Sequence, residues 1–154
     1  MSRNIELVRV QSAPEILLEM YVEYCRYLDD LEGNEKNRER SAFDNLKKSL
    51  NGNGRIYFIK KRKECIGFAI REKEEINGDI RDTIRDLYID YRFRRKGYGT
   101  EAMDRLLSGE NKTSFIVIDE RNESGKNFLN GYALKKGLQL SLMSRDENRT
   151  VWYF

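Results

Sequence analysis

The chain has no histidine among its 154 residues. Histidine is the general base of Ser-His-Asp and Cys-His hydrolases, the usual acid–base near pH 7, and a frequent zinc ligand. Its absence excludes those nucleophile systems and every histidine-ligated metal centre. Catalysis by this protein must therefore use carboxylates, tyrosines, lysines, backbone dipoles or a bound cofactor.

Cysteines and long apolar runs are also scarce. Cys25 and Cys65 are the only cysteines, they lie 40 positions apart, and neither belongs to a CxxC motif. A disulfide framework or a zinc site is therefore not expected, and we predict a reducing, cytoplasmic location. No stretch approaches the roughly 20 apolar residues of a membrane span, and no segment resembles a signal peptide, so we expect no membrane association.

Neither sign of charge dominates the composition. Lys and Arg number 29 against 26 Asp and Glu, for a formal net charge of +3, and 39% of the residues are hydrophobic. A surface of mixed charge does not predict a nucleic-acid partner. The length suits one core, so we expect a single domain over residues 1–154.

The order of the periodic segments predicts a mixed α/β fold. Alternation at residues 5–10 predicts a strand, and a capping box at 12–15 predicts the start of a helix. Further segments predict strands at 55–60, 64–71, 83–90 and 113–118, helices at 100–107 and 124–136, and a closing hairpin from 139–144 and 150–154. With a short second helix before residue 51, the order is β-α-α-β-β-β-α-β-α-β-β.

The segment at 84–100 carries the strongest chemical signal. Gly97 and Gly99 stand where a loop after a strand opens a helix, so backbone N–H groups and the helix dipole favour an anion there. Four cations precede the glycines: Arg92, Arg94, Arg95 and Lys96. A pyrophosphate is the natural ligand of such a loop.

Other phosphate loops fit this segment less well. No GxxxxGK[ST] run exists in the chain, which excludes a Walker A nucleotide site. Gly97, Gly99 and Ala102 match the Rossmann spacing and Asp119 follows at a suitable distance, but residues 90–96 separate the strand from the first glycine. A solvated basic turn remains the structural alternative.

The run from Arg94 to Gly99 matches R/Q-x-x-G-x-G/A, the pyrophosphate motif of the GNAT superfamily of N-acetyltransferases, and the chain resembles that family. The likeness continues through residues 85–93, 100–103 and 122–128, whose wording is similar to polyamine-type enzymes. It implies a single-domain α/β fold with a central mixed sheet of about seven strands flanked by about four helices. It also implies acetyl-CoA as co-substrate and no metal.

Several cofactor-binding residues follow from the resemblance. Leu87, Tyr88 and Ile89 would offer backbone groups to the pantetheine arm between two splayed strands, and Asn122 would contact the arm or cap its own helix. The pyrophosphate would bind the loop of Arg94, Arg95, Lys96, Gly97, Tyr98, Gly99 and Thr100.

Acetyl transfer from a thioester to an amine needs no imidazole. A carboxylate can remove the amine proton, a backbone N–H can hold the oxyanion, and a tyrosine can protonate the thiolate. We predict Asp86 as the base, because many family members carry an acid there and strand alternation places it on the face of Tyr88. The alternative is a surface carboxylate paired with Arg81 or Arg85.

For the acid, Leu129 occupies the position where the family often has tyrosine. We predict Tyr132 as the substitute; the alternatives are a core aromatic at that position and a thiolate that leaves unassisted.

The acceptor is expected to be the primary amine of a small molecule that attacks the thioester directly. Arg85 stands where polyamine-type enzymes tend to have Glu, which argues against a polyamine. The alternatives are a peptide or protein amine and a CoA-binding module with little or no catalysis. Two features of the first helix concern the acceptor. One is its acidic end, and the other is a row of tyrosines, for which we favour helix packing over an acceptor pocket. Their residues are Asp29, Asp30 and Glu32, and Tyr21, Tyr24 and Tyr27. A homodimer through the strand at 150–154 is also possible.

Overall fold

The molecule was analysed as a computed structural model that describes residues 5–11, 15–32, 38–52, 54–108, 115–120, 122–146 and 148–154, with the backbone alone at 27–32 and 38–43. Its elements are, in chain order, β1 (Ile5–Val10), α1 (Glu15–Glu32), α2 (Arg38–Asn51), β2 (Gly54–Lys61), β3 (Glu64–Ile76), β4 (Asp79–Ile89), a 3₁₀ turn (Tyr91–Phe93), α3 (Tyr98–Leu107), β5 (Phe115–Asp119), α4 (Glu123–Lys136), β6 (Ser141–Arg145) and β7 (Arg149–Tyr153).

The predicted fold class is confirmed. Seven strands form one sheet in the order β1-β2-β3-β4-β5-β7-β6, and four α-helices accompany it in the described chain. Neighbouring strands are antiparallel except β4 and β5, which are parallel. Within the described ranges no helix is long and apolar enough to cross a membrane.

The closing hairpin is inserted into the sheet. The last strand, β7, pairs with β5 on one side and with β6 on the other. The expectation that residues 150–154 pair across a dimer is therefore wrong, because both edges of β7 are already hydrogen-bonded within the chain. The two edge strands of the sheet are β1 and β6.

The sheet has a core on each face. One face packs against α3 and α4 through a cluster that includes Met103, Leu106 and Leu129. The other packs against α1 and α2, where Leu17, Leu46 and Phe68 have no exposed surface. Full burial of such a side chain contributes roughly 1.5–3 kcal/mol, so both helical layers are held by their apolar stripes.

A β-bulge in β4 decides which side chains face α1. The register pairs Arg71 with Ile84 and then Ile70 with Asp86. No residue of β3 therefore pairs with Arg85 in the backbone ladder. Ile84 packs into the core on the α3 and α4 side, whereas Tyr88 packs into the core on the α1 side. Asp86 and Tyr88 share a face by ordinary alternation, and the extra residue shifts that alternation by one, which puts Ile84 on the opposite face.

Candidate active site

The site begins where β4 and β5 separate. Their parallel ladder pairs Thr83 with Phe115 and Ile84 with Ile116, and it contains no further pair among the residues that the structure describes. The strand β4 continues to Ile89, still paired with β3 on its other side. The edge of β4 after Ile84 is therefore open toward β5, and its backbone polar groups are available to a ligand.

A cavity of about 800 Å³ lies at this opening. It is lined by the end of β4, the loop before α3, the N-terminus of α4 and one face of α1. It brings together nine of the residues predicted to bind the cofactor: Leu87, Tyr88, Ile89, Arg94, Arg95, Gly97, Gly99, Thr100 and Asn122.

The loop before α3 has the backbone of an anion site. Gly97 is the N-cap of α3, with φ of 86° in the left-handed region, and no side chain of the described residues caps this helix end. A Cβ at Gly97 would meet no protein atom within 4 Å, whereas one at Gly99 would lie 3.1 Å from the Phe128 ring. The N–H groups of the first turn therefore have no capping side chain, at a helix end that lines the cavity and favours an anion.

The cations of the loop take different positions. Arg94 donates from Nε to the Ile89 carbonyl at 2.6 Å, and its guanidinium lies 5.3 Å from the centre of the Tyr88 ring. Arg92 binds Asp90 through its side chain and its backbone N–H, and these hydrogen bonds lower the pKa of that carboxyl below its usual range. Arg94 thus stays beside the cavity, while Arg92 is engaged outside it.

Two residues predicted to bind the pyrophosphate do not line the cavity. Tyr98 is 7% exposed and packs in the core on the α3 side, with the Lys61 ammonium 5.2 Å from its ring centre. Lys96 is exposed, with Nζ 6.0 Å from the centre of the Phe93 ring.

Asn122 caps α4 and also lines the cavity. Its side-chain oxygen accepts a hydrogen bond from the Gly125 N–H at 2.9 Å. The capping role weighed for this residue is therefore present in the structure, because the side chain satisfies an N–H at the helix start. Phe128, one turn further along α4, completes this wall of the cavity.

Asp86 lies behind the cavity wall. Its Oδ1 accepts from the Tyr24 hydroxyl at 2.8 Å and its Oδ2 from Arg85 Nε at 2.9 Å, and its side chain is 10% exposed. Tyr24 lines the cavity, whereas Asp86 is not among the lining residues. The pairing with Arg85 that the sequence suggested is present, while Arg81 pairs with Asp79 instead.

Arg85 joins Asp86 to a second carboxylate. The guanidinium also forms an ion pair with Glu72 and donates to Ser49 Oγ at 3.2 Å. One positive charge shared by two carboxylates leaves this group with a net negative charge of one. Burial by itself would lower the pKa of Arg85, but the negative charge around the guanidinium outweighs it and raises that pKa, so the side chain stays charged.

Tyr132 is held elsewhere. Its hydroxyl donates to Asp104 Oδ1 at 2.6 Å, and Lys136 binds the other oxygen of that carboxylate at 2.9 Å. The ring is 5% exposed and packs beside Phe128 and Phe154. Burial, reinforced by Asp104, raises the pKa of this phenol. The structure does not bring Tyr132 to the cavity, and it does not test the role of the acid that the sequence suggested for this residue.

The importance of Tyr24 is not evident from sequence reasoning, which assigns the tyrosine row to helix packing first. The structure shows both functions, because the Tyr24 ring packs on Phe68, its hydroxyl donates to Asp86, and the residue lines the cavity. Glu23 and Arg26 also line the cavity; they lie three positions apart and are neighbours on α1, but no sequence motif identifies them as site residues. The side chains of Tyr27, Asp29, Asp30 and Glu32 lie outside the described residues.

Comparison with known proteins agrees with this geometry. A sequence model of the acetyltransferase (GNAT) family matches residues 16–128, and the chain belongs to that family. It is therefore an N-acetyltransferase. No curated protein sequence matches the chain.

Three solved structures illustrate the likeness of fold. An acetyltransferase from Thermus thermophilus has a TM-score of 0.72 at 17% identity, over 98% of this chain and 96% of that one. The ribosomal alpha-N-protein acetyltransferase RimL has a TM-score of 0.60 at 16% identity, over 99% and 90%. The PaiA N-acetyltransferase from Thermoplasma acidophilum, solved with coenzyme A, has a TM-score of 0.59 at 12% identity, over 98% of each chain.

Proposed function

We propose that the protein transfers the acetyl group of acetyl-CoA to the primary amine of a small molecule, by direct attack of the amine on the thioester. The observation that carries this proposal is one continuous cavity. It joins the open edge of β4 at Leu87–Ile89 to the uncapped helix end at Gly97. An extended thiol arm ending in a pyrophosphate requires both features side by side, an unpaired strand edge and an anion-binding helix terminus.

The size of the cavity supports a small acceptor. Its volume of about 800 Å³ lies within the roughly 300–1,000 Å³ of single-ligand pockets. The same space must hold the pantetheine arm, so only part of it remains for the acceptor.

The charges that line the cavity are mixed, with Glu23 beside Arg26, Arg94 and Arg95, so the support for a cationic amine comes mainly from the carboxylates on the α1 side. Glu23 lines the cavity, and the Asp86–Arg85–Glu72 group with its net negative charge lies behind the wall formed by Tyr24. A cationic amine that approaches between α1 and β4 is attracted by these carboxylates.

The setting proposed for the enzyme is a reducing one. Cys25 and Cys65 are not joined by a disulfide bond. Two cysteines that both remain thiols support a cytoplasmic location, where thiols stay reduced.

The test is an acceptor panel with acetyl-CoA, followed by thiol release. Small primary amines, lysine-containing peptides and peptides with free N-termini are compared at equal concentration, and acetyl-CoA binding is measured separately by calorimetry. We expect binding of acetyl-CoA and a higher kcat/KM for small amines. Faster acetylation of peptides would refute the acceptor class, and a failure to bind acetyl-CoA would refute the assignment of the cavity.

A further inference from the structure

Tyr24 is the group through which Asp86 reaches the cavity. The carboxylate is 10% exposed and does not line the cavity, whereas Tyr24 does. The Tyr24 hydroxyl donates to Asp86 Oδ1 at 2.8 Å, across 62 positions of sequence. A hydroxyl that donates one hydrogen bond keeps lone pairs with which it can accept another. Of these two residues, Tyr24 is therefore the one that lies at the cavity surface.

The position of the Tyr24 ring is held by other aromatic rings. Its centre lies 5.9 Å from Phe68 and 6.1 Å from Tyr88, both edge-on, and Tyr21 stacks on it at 6.1 Å. Such contacts restrict the ring on several sides, so the hydroxyl keeps its hydrogen bond to Asp86. Burial, together with the nearby carboxylate, raises the pKa of Tyr24 well above its usual value, so the hydroxyl carries its proton at neutral pH.

We propose that Tyr24 relays a proton from the acceptor amine to Asp86. This inference rests on the proposed acetyl transfer and names the residue that connects the amine to its base. The ammonium donates one N–H proton to the Tyr24 oxygen while the proton already on that oxygen passes to Asp86 Oδ1. Tyr24 stays neutral, Asp86 becomes a carboxylic acid, and the amine nitrogen gains a free lone pair.

The rest of the reaction then balances. The nitrogen bonds the acetyl carbon, the carbon–sulfur bond breaks, and the sulfur leaves with its electron pair. The amine loses a second proton after it has bonded the carbon, and this proton converts the leaving thiolate into a thiol. Asp86 returns its proton to solvent before the next turnover.

The groups around the pair combine one positive charge with two negative ones. Among the described residues, the charged and titratable groups next to the pair are Arg85 and Tyr88 on β4, Glu72 on β3, and Tyr21 and Cys25 on α1. On the cavity side they are Glu23, Arg26, Arg94 and Arg95. Since Arg85 is shared with Glu72, its charge is divided between two carboxylates, and the group as a whole attracts an ammonium.

The variant Tyr24→Phe tests the relay, because it keeps the ring and removes the hydroxyl. General-base assistance contributes about 100-fold or more, so kcat/KM at pH 7 should fall by about 100-fold. The variant depends on amine that is already deprotonated in solution. Its deficit should therefore shrink by up to about tenfold per pH unit toward the amine pKa of about 10. A deficit that is the same at every pH, or no deficit, would overturn the proposal.

Two further variants sharpen this test. Asp86→Asn should reproduce the same pH-dependent deficit, and the double variant should lose no more than either single one, since the two residues act as one path. Losses that multiply would contradict the relay. Tyr21→Phe is the matched control, because it also removes one tyrosine hydroxyl. Tyr21 stacks on Tyr24, its hydroxyl interacts with Arg85, and the residue does not line the cavity. This variant should retain the wild-type pH profile.

The relay can be separated from the choice of acceptor. Wild type and Tyr24→Phe can be compared with any amine that the enzyme acetylates. A preference for peptides would refute the small-molecule proposal, but the comparison would still test the relay. A second measurement needs no turnover: calorimetric binding of a primary alkylammonium to the protein saturated with CoA at pH 7. Tyr24→Phe should weaken it about tenfold, because a hydrogen bond to a charged group is lost. Equal binding by both proteins would count against the relay.

Discussion

Replacing Gly97 with alanine separates the two roles of this residue, backbone geometry and space for an anion. Its φ of 86° is disfavoured for any residue with a Cβ, at a cost of about 1–2 kcal/mol. For a chain of this size, that cost lowers Tm by roughly 2–8 °C. The new methyl group would have open space around it, at a residue that lines the cavity.

Gly78 provides the matched control. It lies in the Asn77–Gly78 turn between β3 and β4, with φ of 89° and the same open space around a Cβ. Gly78→Ala should therefore cost about as much stability as Gly97→Ala. We expect a loss of acetyl-CoA affinity of about tenfold, or about 1.4 kcal/mol, in Gly97→Ala alone.

The measurements are thermal unfolding and acetyl-CoA calorimetry on the wild type and both variants. Similar Tm values with affinity lost in Gly97→Ala alone would support the phosphate loop. If both variants bound acetyl-CoA as tightly as the wild type, the assignment of this helix end to the pyrophosphate would be refuted.

Three other predictions concern the strand end and the buried tyrosines. A Cβ at Gly67 would lie 2.0 Å from the Tyr88 carbonyl oxygen. Gly67→Ala should therefore lower the free energy of unfolding in urea by about 3 kcal/mol or more. A variant as stable as the wild type would contradict the close approach. The Tyr132 hydroxyl is bound to Asp104, so Tyr132→Phe should lower the free energy of unfolding by about 1 kcal/mol and leave kcat within about twofold. A large fall in kcat without loss of stability would instead identify Tyr132 as the acid. Burial raises the pKa of Tyr24 and Tyr132 in the folded state, so their stabilisation is complete below the unfolded pKa of about 10 and is lost as pH rises through the folded values. As pH rises, the tyrosinate absorbance of these two residues should appear only when the protein unfolds, and circular dichroism monitors that unfolding. Titration of all nine tyrosines before unfolding would contradict this.

The features that sequence reasoning predicted correctly are local ones. The strand, cation-rich loop and glycine-opened helix of residues 84–100 are contiguous, and the cap formed by Asn122 on Gly125 spans three residues. Such patterns depend on backbone geometry within one or two turns, which neighbouring residues specify directly. The same reasoning included Lys96 and Tyr98, because a motif does not show which of its side chains turn toward the core.

The features that it missed join distant parts of the chain. The insertion of β7 between β5 and β6 depends on which strand the hairpin docks against, which no local pattern encodes. Likewise, the sequence shows that Tyr132 lies three residues after Leu129 on α4. It does not show that the Tyr132 hydroxyl binds Asp104 on α3. Packing between elements, and not propensity within them, decided both outcomes.

The absence of histidine, the glycines and the cations before α3 predicted a chemistry without imidazole and an anion-binding loop, and the likeness of Arg94–Gly99 to the GNAT motif implied acyl transfer. Only the tertiary structure decided how the remaining groups meet. The face that Asp86 shares with Tyr88 packs against α1, where Tyr24, 62 positions earlier, donates to that carboxylate and lines the cavity. Contact between residues so far apart depends on the register of the sheet and the packing of a helix across it, and these arise when the whole chain folds.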